Sequence, residues 1–506
     1  MSSVKTYARI LKESNLLFRG NFPAPDPKVG LASYGPYSAT KNRIRVGIIG
    51  DKETISQTLS MFEKFRQPIE GPLRYPLWTP DFPGFSINSP FKCEFIFSEQ
   101  WQQSISSGDI ARLENLTFDW ELISNSVDIF IKHLKNLREQ EESPDVVICV
   151  PPKNIMDICI AAQKRLWRSR KGSDFPRRKK RSFDYRQRLL LEFIPDFEQA
   201  YAGFLQKLAA ENFHHLLKAR AMNLKIPIQL ILPYTLAAFH KLGEKRIQDD
   251  ATVAWNLCVA LLYKAETRLW RMEHIQAGTC YAGISFYREK RILGGRMGVS
   301  LAQVFTPEGE GLVLKGERFD WPSRTMPHLS RESAKRLMEK VLSTYQRYTG
   351  QWPARVVVHK TSTFDDNEKK GFQLALESVP RHDFIAILQK TRRIKFFRKG
   401  KEPVLRGTVI DLTNNNWLLY TKAYIPFMRV YPGPRVPRPL EIVQHEGDTP
   451  TDGVLSEILS LSKLNWNSAD FTSFLPITLQ FSRQVGRILR ELPPGVTPET
   501  KYLYYM

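Results

Sequence analysis

Apolar positions along the chain fall into two regimes. In the first, short apolar runs alternate with segments of helical spacing. "RIRVGIIG" (Arg43 to Gly50) is β-rich and ends in a turn glycine. "DKETISQTLSMFEKFRQP" follows, with Asp51 placed as an N-cap and Pro68 as a stop. "DVVICVPP" (Asp145 to Pro152) is a second strand of the buried type, again followed by a helical pattern, and "IPIQLIL" (Ile226 to Leu232) is a third. Strand, helix, strand at this spacing predicts an α/β sheet with covered faces.

The second regime opens with three strands in succession, "CYAGISFYREK", "GVSLAQVFT" and "GLVLKGE", which predict an antiparallel meander. A helix from Ser330 to Tyr348 comes next, with capping chemistry at Ser330. Then follow "RVVVHKT", a helix from about Asp366, "FIAILQK", a hairpin through Asn414 to Asn416, and two helices near the C-terminus. Three antiparallel strands, helix, strand, helix, strand, helix is the order of a ribonuclease-H-like fold. The boundary falls near Arg268 to Ala277. A length of 506 residues agrees with two or three domains.

Charge narrows the function. Lys plus Arg number 74 against 52 Asp plus Glu, a net charge of +22. That balance suits a polyanionic partner such as nucleic acid; a solvated basic surface or an acidic protein partner fits it too. Two basic segments stand out. Twelve Lys or Arg lie between Lys164 and Arg188, interleaved with Trp167, Phe175, Phe183 and Tyr185, and nine lie between Arg381 and Arg406. Each suits a sugar-phosphate backbone with aromatic stacking, or an exposed loop without a fixed partner. In the second, which follows directly on a core strand, Arg392, Arg393, Lys395, Arg398 and Lys399 are the candidate backbone contacts. The five cysteines are odd in number and widely spaced, with no CxxC, which fits neither a disulfide framework nor a zinc site. With no signal-peptide core and no run approaching ~20 apolar residues, a cytoplasmic protein off the membrane is expected.

Candidate chemistry concentrates in "FHHLLKARAMNLKIPIQLI" (Phe213 to Ile231). On a helix, His214 and Lys218 share a face, and His215 neighbours Lys218. Gln229 interrupts an apolar strand, and Lys264 ends the apolar helical run "LCVALLYKAE". A buried Gln needs partners for both of its polar atoms. Two lysines, a histidine and a glutamine converging on one point suit a terminal phosphate; a surface His and Lys beside a Gln satisfied by backbone is the alternative.

The four residues resemble, position by position, the guide-end pocket of the MID domain of Argonaute proteins. The resemblance implies that His214, Lys218, Gln229 and Lys264 hold a guide 5′-phosphate. It also implies a Mg²⁺ ion shared with Gln229 and a terminal carboxylate, here that of Met506 in the apolar tail "KYLYYM". The second half resembles the PIWI domain. Cleaving members of that family carry carboxylates where this chain has Ser285 in "YAGISFY", Thr361 after "VVVHK" and Arg483 in "LPITLQFSRQVGRIL". Two hydroxyls and a guanidinium do not hold two Mg²⁺ ions. Glu289, Asp365 and Asp366 are nearby acids, read as a strand-end charge and helix N-caps.

The expected division is therefore a Rossmann-like MID domain over 1–267 and a catalytically inactive, ribonuclease-H-like PIWI domain over 268–506. The pocket motif already arrives near residue 214, and "LLFRGNFPAPDPKVGLASYGPYS" resembles the opening of the short prokaryotic Argonautes. The resemblance implies a guide RNA, a single-stranded DNA target, and an APAZ-containing partner subunit with a TIR, sirtuin-like or nuclease effector. That partner oligomerises when target is bound. An active guide-directed nuclease using displaced acids and a general RNA-binding protein are the rival readings.

Overall fold

The computed structural model describes residues 7–172, 212–240, 248–274, 276–289, 297–306, 311–320, 326–388, 395–412, 415–431, 436–492 and 496–506. The three predicted front strands lie in one parallel sheet. Its order is Glu94–Ile96, Arg43–Gly50, Val146–Cys149, Ile228–Leu230, with Gln102–Ser104 also pairing with Arg43–Gly50. A parallel sheet is buried on both faces, so its strands read as unbroken apolar runs. Here Ile44, Val46, Ile48 and Ile148 pack with Phe62, Phe65 and Trp255 on one face. Ile49, Val147 and Cys149 pack on the other with residues of the helices Asp119–Arg138, Lys153–Gly172 and Phe213–Ala221. Asp51 caps the helix Lys52–Phe65 by accepting from the Thr54 N–H at 2.8 Å, and that helix ends ahead of Pro68.

The rear sheet has nine strands. Its centre is the predicted ribonuclease-H-like set. Gly311–Asp320, Met297–Phe305 and Thr279–Glu289 run antiparallel, and Thr279–Glu289 then pairs parallel with Arg355–Lys360, which pairs parallel with Arg381–Leu388. Between these strands stand the helices Arg331–Thr349, capped by Ser330, and Asp366–Ala375, capped by Asp365. The hairpin forms from Thr408–Leu412 and Asn416–Leu419, and Leu440–Gly447 joins it to the centre.

One strand crosses the expected division. Ala8–Ile10, from the start of the chain, pairs antiparallel with Thr408–Leu412 and completes the rear sheet. At three residues, and with its flanks exposed, it carries no apolar period to read. A small sheet of Leu16–Leu17, Pro23–Ala24 and Arg271–Met272 then ties the opening segment to the predicted boundary. The largest apolar cluster runs through both halves and includes Trp255, Trp270, Tyr281, Phe305, Trp466 and Tyr502. All five cysteines are free and buried. Among the described residues no helix is long and apolar enough to cross a membrane.

Candidate functional site

The helix Phe213–Ala221 is short and held at both ends. The Asn212 side chain caps it, accepting from the His215 N–H at 3.1 Å. Phe213 packs edge-on against Phe130 at 5.5 Å, and Arg220 donates to the Ser124 hydroxyl at 2.8 Å. These anchors turn Lys218, four residues past His214, into the interior, where it is 2 % exposed. Lys264 ends the helix Asp250–Lys264 and is 1 % exposed. Its Nζ donates to Gln229 Oε1 at 2.6 Å, while Gln229 Nε2 donates to the Leu230 carbonyl at 3.0 Å. The fold therefore bonds Lys264 to Gln229 and sets Lys218 and His214 close enough to feel the charge of Lys264 or to act on it.

Electrostatics set this niche apart. Burial pushes Lys218 down to about 7, with only a small opposing effect from the Cys149 thiol. Burial, and then the charge of Lys218, pushes Lys264 well below the ordinary lysine value. His214 is driven far below its ordinary value by burial, and further by Lys218, His215 and Lys264. Among the described residues no carboxylate side chain pairs with either ammonium. Buried charge without a counter-charge is costly, so the niche is complementary to an anion.

Two groups are the expected Mg²⁺ ligands, Gln229 and the Met506 carboxylate. Mg²⁺ takes oxygen ligands, usually with carboxylate help. Gln229 Oε1 accepts from Lys264 and keeps a second lone pair. Met506 is 5 % exposed within the large cluster, and the short helix Tyr502–Tyr505 before it packs against Asp250–Lys264. Tyr504 Oη also reaches the Lys225 carbonyl at 3.2 Å, so the apolar tail lies over the same region as the lysines.

In the rear sheet Ser285, Thr361 and the helix that carries Arg483 share one neighbourhood. Ser285 is 5 % exposed on Thr279–Glu289. Thr361 follows Arg355–Lys360, and its N–H donates to the Ile284 carbonyl at 3.4 Å. Arg483 belongs to the helix Ser482–Arg490, which packs on the strand of Ser285, with Gly486 against Tyr287; the Arg483 side chain lies outside the described residues. So does that of Glu289. Asp365 is engaged in a capping box with Glu368, and Asp366 is exposed and pairs with Lys369 at 3.2 Å. His328, Asp365 and Glu368 are grouped at metal-ligand spacing. There, however, Glu368 is already bound by the Lys360 ammonium and by the Leu329 N–H at 2.7 Å.

Of the candidate backbone contacts, Lys395, Arg398 and Lys399 are exposed on an irregular segment. Arg392 and Arg393, and most of the Lys164 to Arg188 run, lie outside the described residues. A link that the spacing did not predict joins the pocket to the rear half. Tyr263, next to Lys264, stacks on Trp466 at 5.4 Å and 10°. Asn256, on the same helix, accepts from the Ala469 N–H at 3.1 Å. The signal was available in the aromatic inside "LNWNSADF".

No family model matches the chain. In sequence it is 27 % identical over 160 residues to the Argonaute protein of Thermus thermophilus, covering 30 % of this chain and 22 % of that protein. It is 20 % identical over 322 residues to the Argonaute protein of Aquifex aeolicus, covering 63 % and 41 %. In structure it is similar to Clostridium butyricum Argonaute bound to a guide DNA and a 19-mer target DNA. That likeness has a TM-score of 0.63 at 17 % identity and covers 97 % of this chain and 54 % of the other. Drosophila Piwi gives a TM-score of 0.57 at 12 % identity, covering 99 % and 56 %. The chain thus spans about half the length of the solved structures it resembles, and less of the two sequence relatives.

Proposed function

We propose that this chain, a relative of the Argonaute proteins that shares their fold, anchors a guide strand by its 5′-phosphate and presents it to a complementary target without cutting either strand. The guide is RNA and the target single-stranded DNA. The observation that carries the reading is a pair of buried, mutually repelling ammonium groups, Lys218 and Lys264, the second bonded to Gln229, with no acidic side chain among the described residues to balance them. A phosphate monoester supplies about 1.5 to 2 negative charges and so matches the niche. His214 closes its rim. Lys and Arg elsewhere hold the backbone without reading sequence, and base pairing performs the recognition.

Ser285 within Thr279–Glu289 and Thr361 just past Arg355–Lys360, hydroxyls on paired strands, support the non-cutting part of the reading. A chain that recognises but does not cut needs its output elsewhere. In this reading the output belongs to an APAZ-containing effector subunit, which oligomerises on target binding and acts in prokaryotic defence.

Binding of 5′-phosphorylated and 5′-hydroxyl RNAs of one sequence tests the anchor. The phosphorylated strand is expected to bind more tightly, and Lys218→Met with Lys264→Met to erase the difference. Equal binding by the unaltered chain would return it to the class of general RNA-binding proteins. Incubating the guide-loaded chain with complementary strands and Mg²⁺ or Mn²⁺ tests the rest: intact strands are expected, and cuts at a fixed distance from the guide end would make it a nuclease.

A further inference from the structure

We infer that the outer edge of the front sheet, at Glu94–Ile96, is a docking groove for an extended segment of a separate protein. That segment adds a strand to the edge and seats apolar side chains between it and the helix Lys52–Phe65. The inference goes beyond the guide-binding reading and does not depend on it, because Gln229 lies on Ile228–Leu230, at the opposite edge of the same sheet.

The edge is open. Glu94–Ile96 pairs with Arg43–Gly50 on one side, and among the described residues no strand lies on its far side. The Glu94 N–H faces inward and donates to the Asn42 carbonyl at 3.0 Å. Successive strand residues direct their backbone groups to opposite sides, so those of Phe95 turn outward, as a template for another strand. The rear sheet offers a contrast. Its outer strand Gly311–Asp320 is partly covered, with the Val313 N–H donating to the Thr500 carbonyl at 2.7 Å.

The edge is also lined for side chains. A groove of about 520 Å³ lies between Glu94–Ile96 and the helix, walled by Leu59, Phe62, Phe85, Phe95 and Phe97. Side chains alternate across a strand, so Phe95 and Phe97 share the face toward the helix. Phe62 meets Phe95 edge-on at 5.7 Å and Phe97 at 5.2 Å, and Phe85 stacks on Phe95 at 4.0 Å. These contacts fix the floor. Leu59, Phe95 and Phe97 nevertheless stay only half-buried, at the place where a neighbouring strand would project its own side chains.

Charge selects the occupant. The ionic groups at the rim pair among themselves: Arg43 donates to Glu94 at 2.9 Å, and Arg66 lies 3.5 Å from Glu63 and 4.0 Å from Glu94. In a chain of net charge +22 this groove offers no unpaired cation, so it suits an uncharged stretch of polypeptide and not a nucleic-acid backbone. Main-chain hydrogen bonds along the edge would hold such a segment, and the groove would select apolar residues at every second position.

The probes are capped peptides of about eight residues that alternate threonine with valine, isoleucine, leucine, phenylalanine or tyrosine. Each has a control of the same sequence with backbone N–H groups methylated at alternate positions. Fluorescence anisotropy measures binding to the full chain, and hydrogen exchange follows residues 93–97. We expect at least one peptide to bind saturably and to slow exchange there, and its methylated control to bind about tenfold or more weakly. Ser60→Trp, at an exposed rim position of the helix, is expected to weaken the peptide by a similar factor while melting temperature and RNA binding stay unchanged. No saturable binding by any peptide, equal binding by the methylated controls, or binding indifferent to Ser60→Trp would overturn the inference. Protection of residues 93–97 by a 5′-hydroxyl RNA in place of the peptides would assign the groove to nucleic acid and overturn it as well. The 5′-phosphate preference, measured in the same preparation, stands or falls separately.

Discussion

Two groups of buried cations in this molecule live in opposite circumstances. In the rear half those among the described residues are paired. Arg355, 2 % exposed, donates to Asp383 at 2.8 and 2.9 Å and to Glu457 at 2.5 and 3.0 Å. Lys360 holds Glu368, and Arg406 donates to Glu13 at 2.7 and 3.1 Å. In the front half Lys218 and Lys264 are buried as deeply, yet no acidic side chain among the described residues pairs with them. Paired charges of the first kind are architecture. Unpaired charges of the second kind suit an anion, which is what the proposed guide phosphate would supply.

The comparison makes opposite stability predictions. Burial raises Asp383, but His445, Thr449 and Arg355 together hold it well below the usual carboxylate range. Asp383→Ala strands Arg355 with half its counter-charge, and chemical denaturation is expected to show a loss of about 3–5 kcal/mol. Lys218→Met removes a charge that the free protein holds at a cost. Without nucleic acid it is expected to stabilise the fold by roughly 1–3 kcal/mol, while the preference for a 5′-phosphate disappears. If Lys218→Met instead destabilised the free protein as Asp383→Ala does, the distinction between the two halves would be lost.

Legibility followed the length of the signal. Arg43–Gly50 and Val146–Cys149 announce themselves because a parallel strand is apolar on both faces. Asp51, Ser330 and Asp365 announce their helices because a cap is a local hydrogen bond with a local residue requirement. His214, Lys218, Gln229 and Lys264 could be nominated because a lysine and a glutamine inside apolar runs break the pattern. Their convergence is a tertiary fact, and so is the hydrogen bond that joins Gln229 to Lys264. Ala8–Ile10 was illegible for the opposite reason: three residues on a sheet edge, paired with a strand four hundred residues away, leave no local trace.

Titration sharpens the comparison. Folding lowers Lys218 from 10.5 to about 7. Between those values the unfolded chain holds a proton that the folded one has released, so the stability of the free protein rises with pH across that window. Below about 7 both states carry the charge and the burial penalty is complete. The advantage of Lys218→Met is therefore expected to be largest below pH 7 and to shrink steadily toward pH 10. Parallel melting curves of the two proteins check it, and a gap independent of pH would mean that Lys218 keeps its ordinary lysine value in the free fold.

The smallest effect concerns the exposed cations. Lys395, Arg398 and Lys399 sit on an irregular exposed segment after the core strand Arg381–Leu388. Each contact with a single-strand phosphate contributes about 0.7 to the slope of log affinity against log salt. Replacing all three by Ala should flatten that slope and weaken 5′-phosphorylated and 5′-hydroxyl strands equally, because exposed cations meet the backbone and not its end. A buried niche discriminates between ends, and an exposed basic segment does not. A triple variant that erased the phosphate preference while leaving the salt slope unchanged would show that these cations, and not the pocket, read the guide terminus.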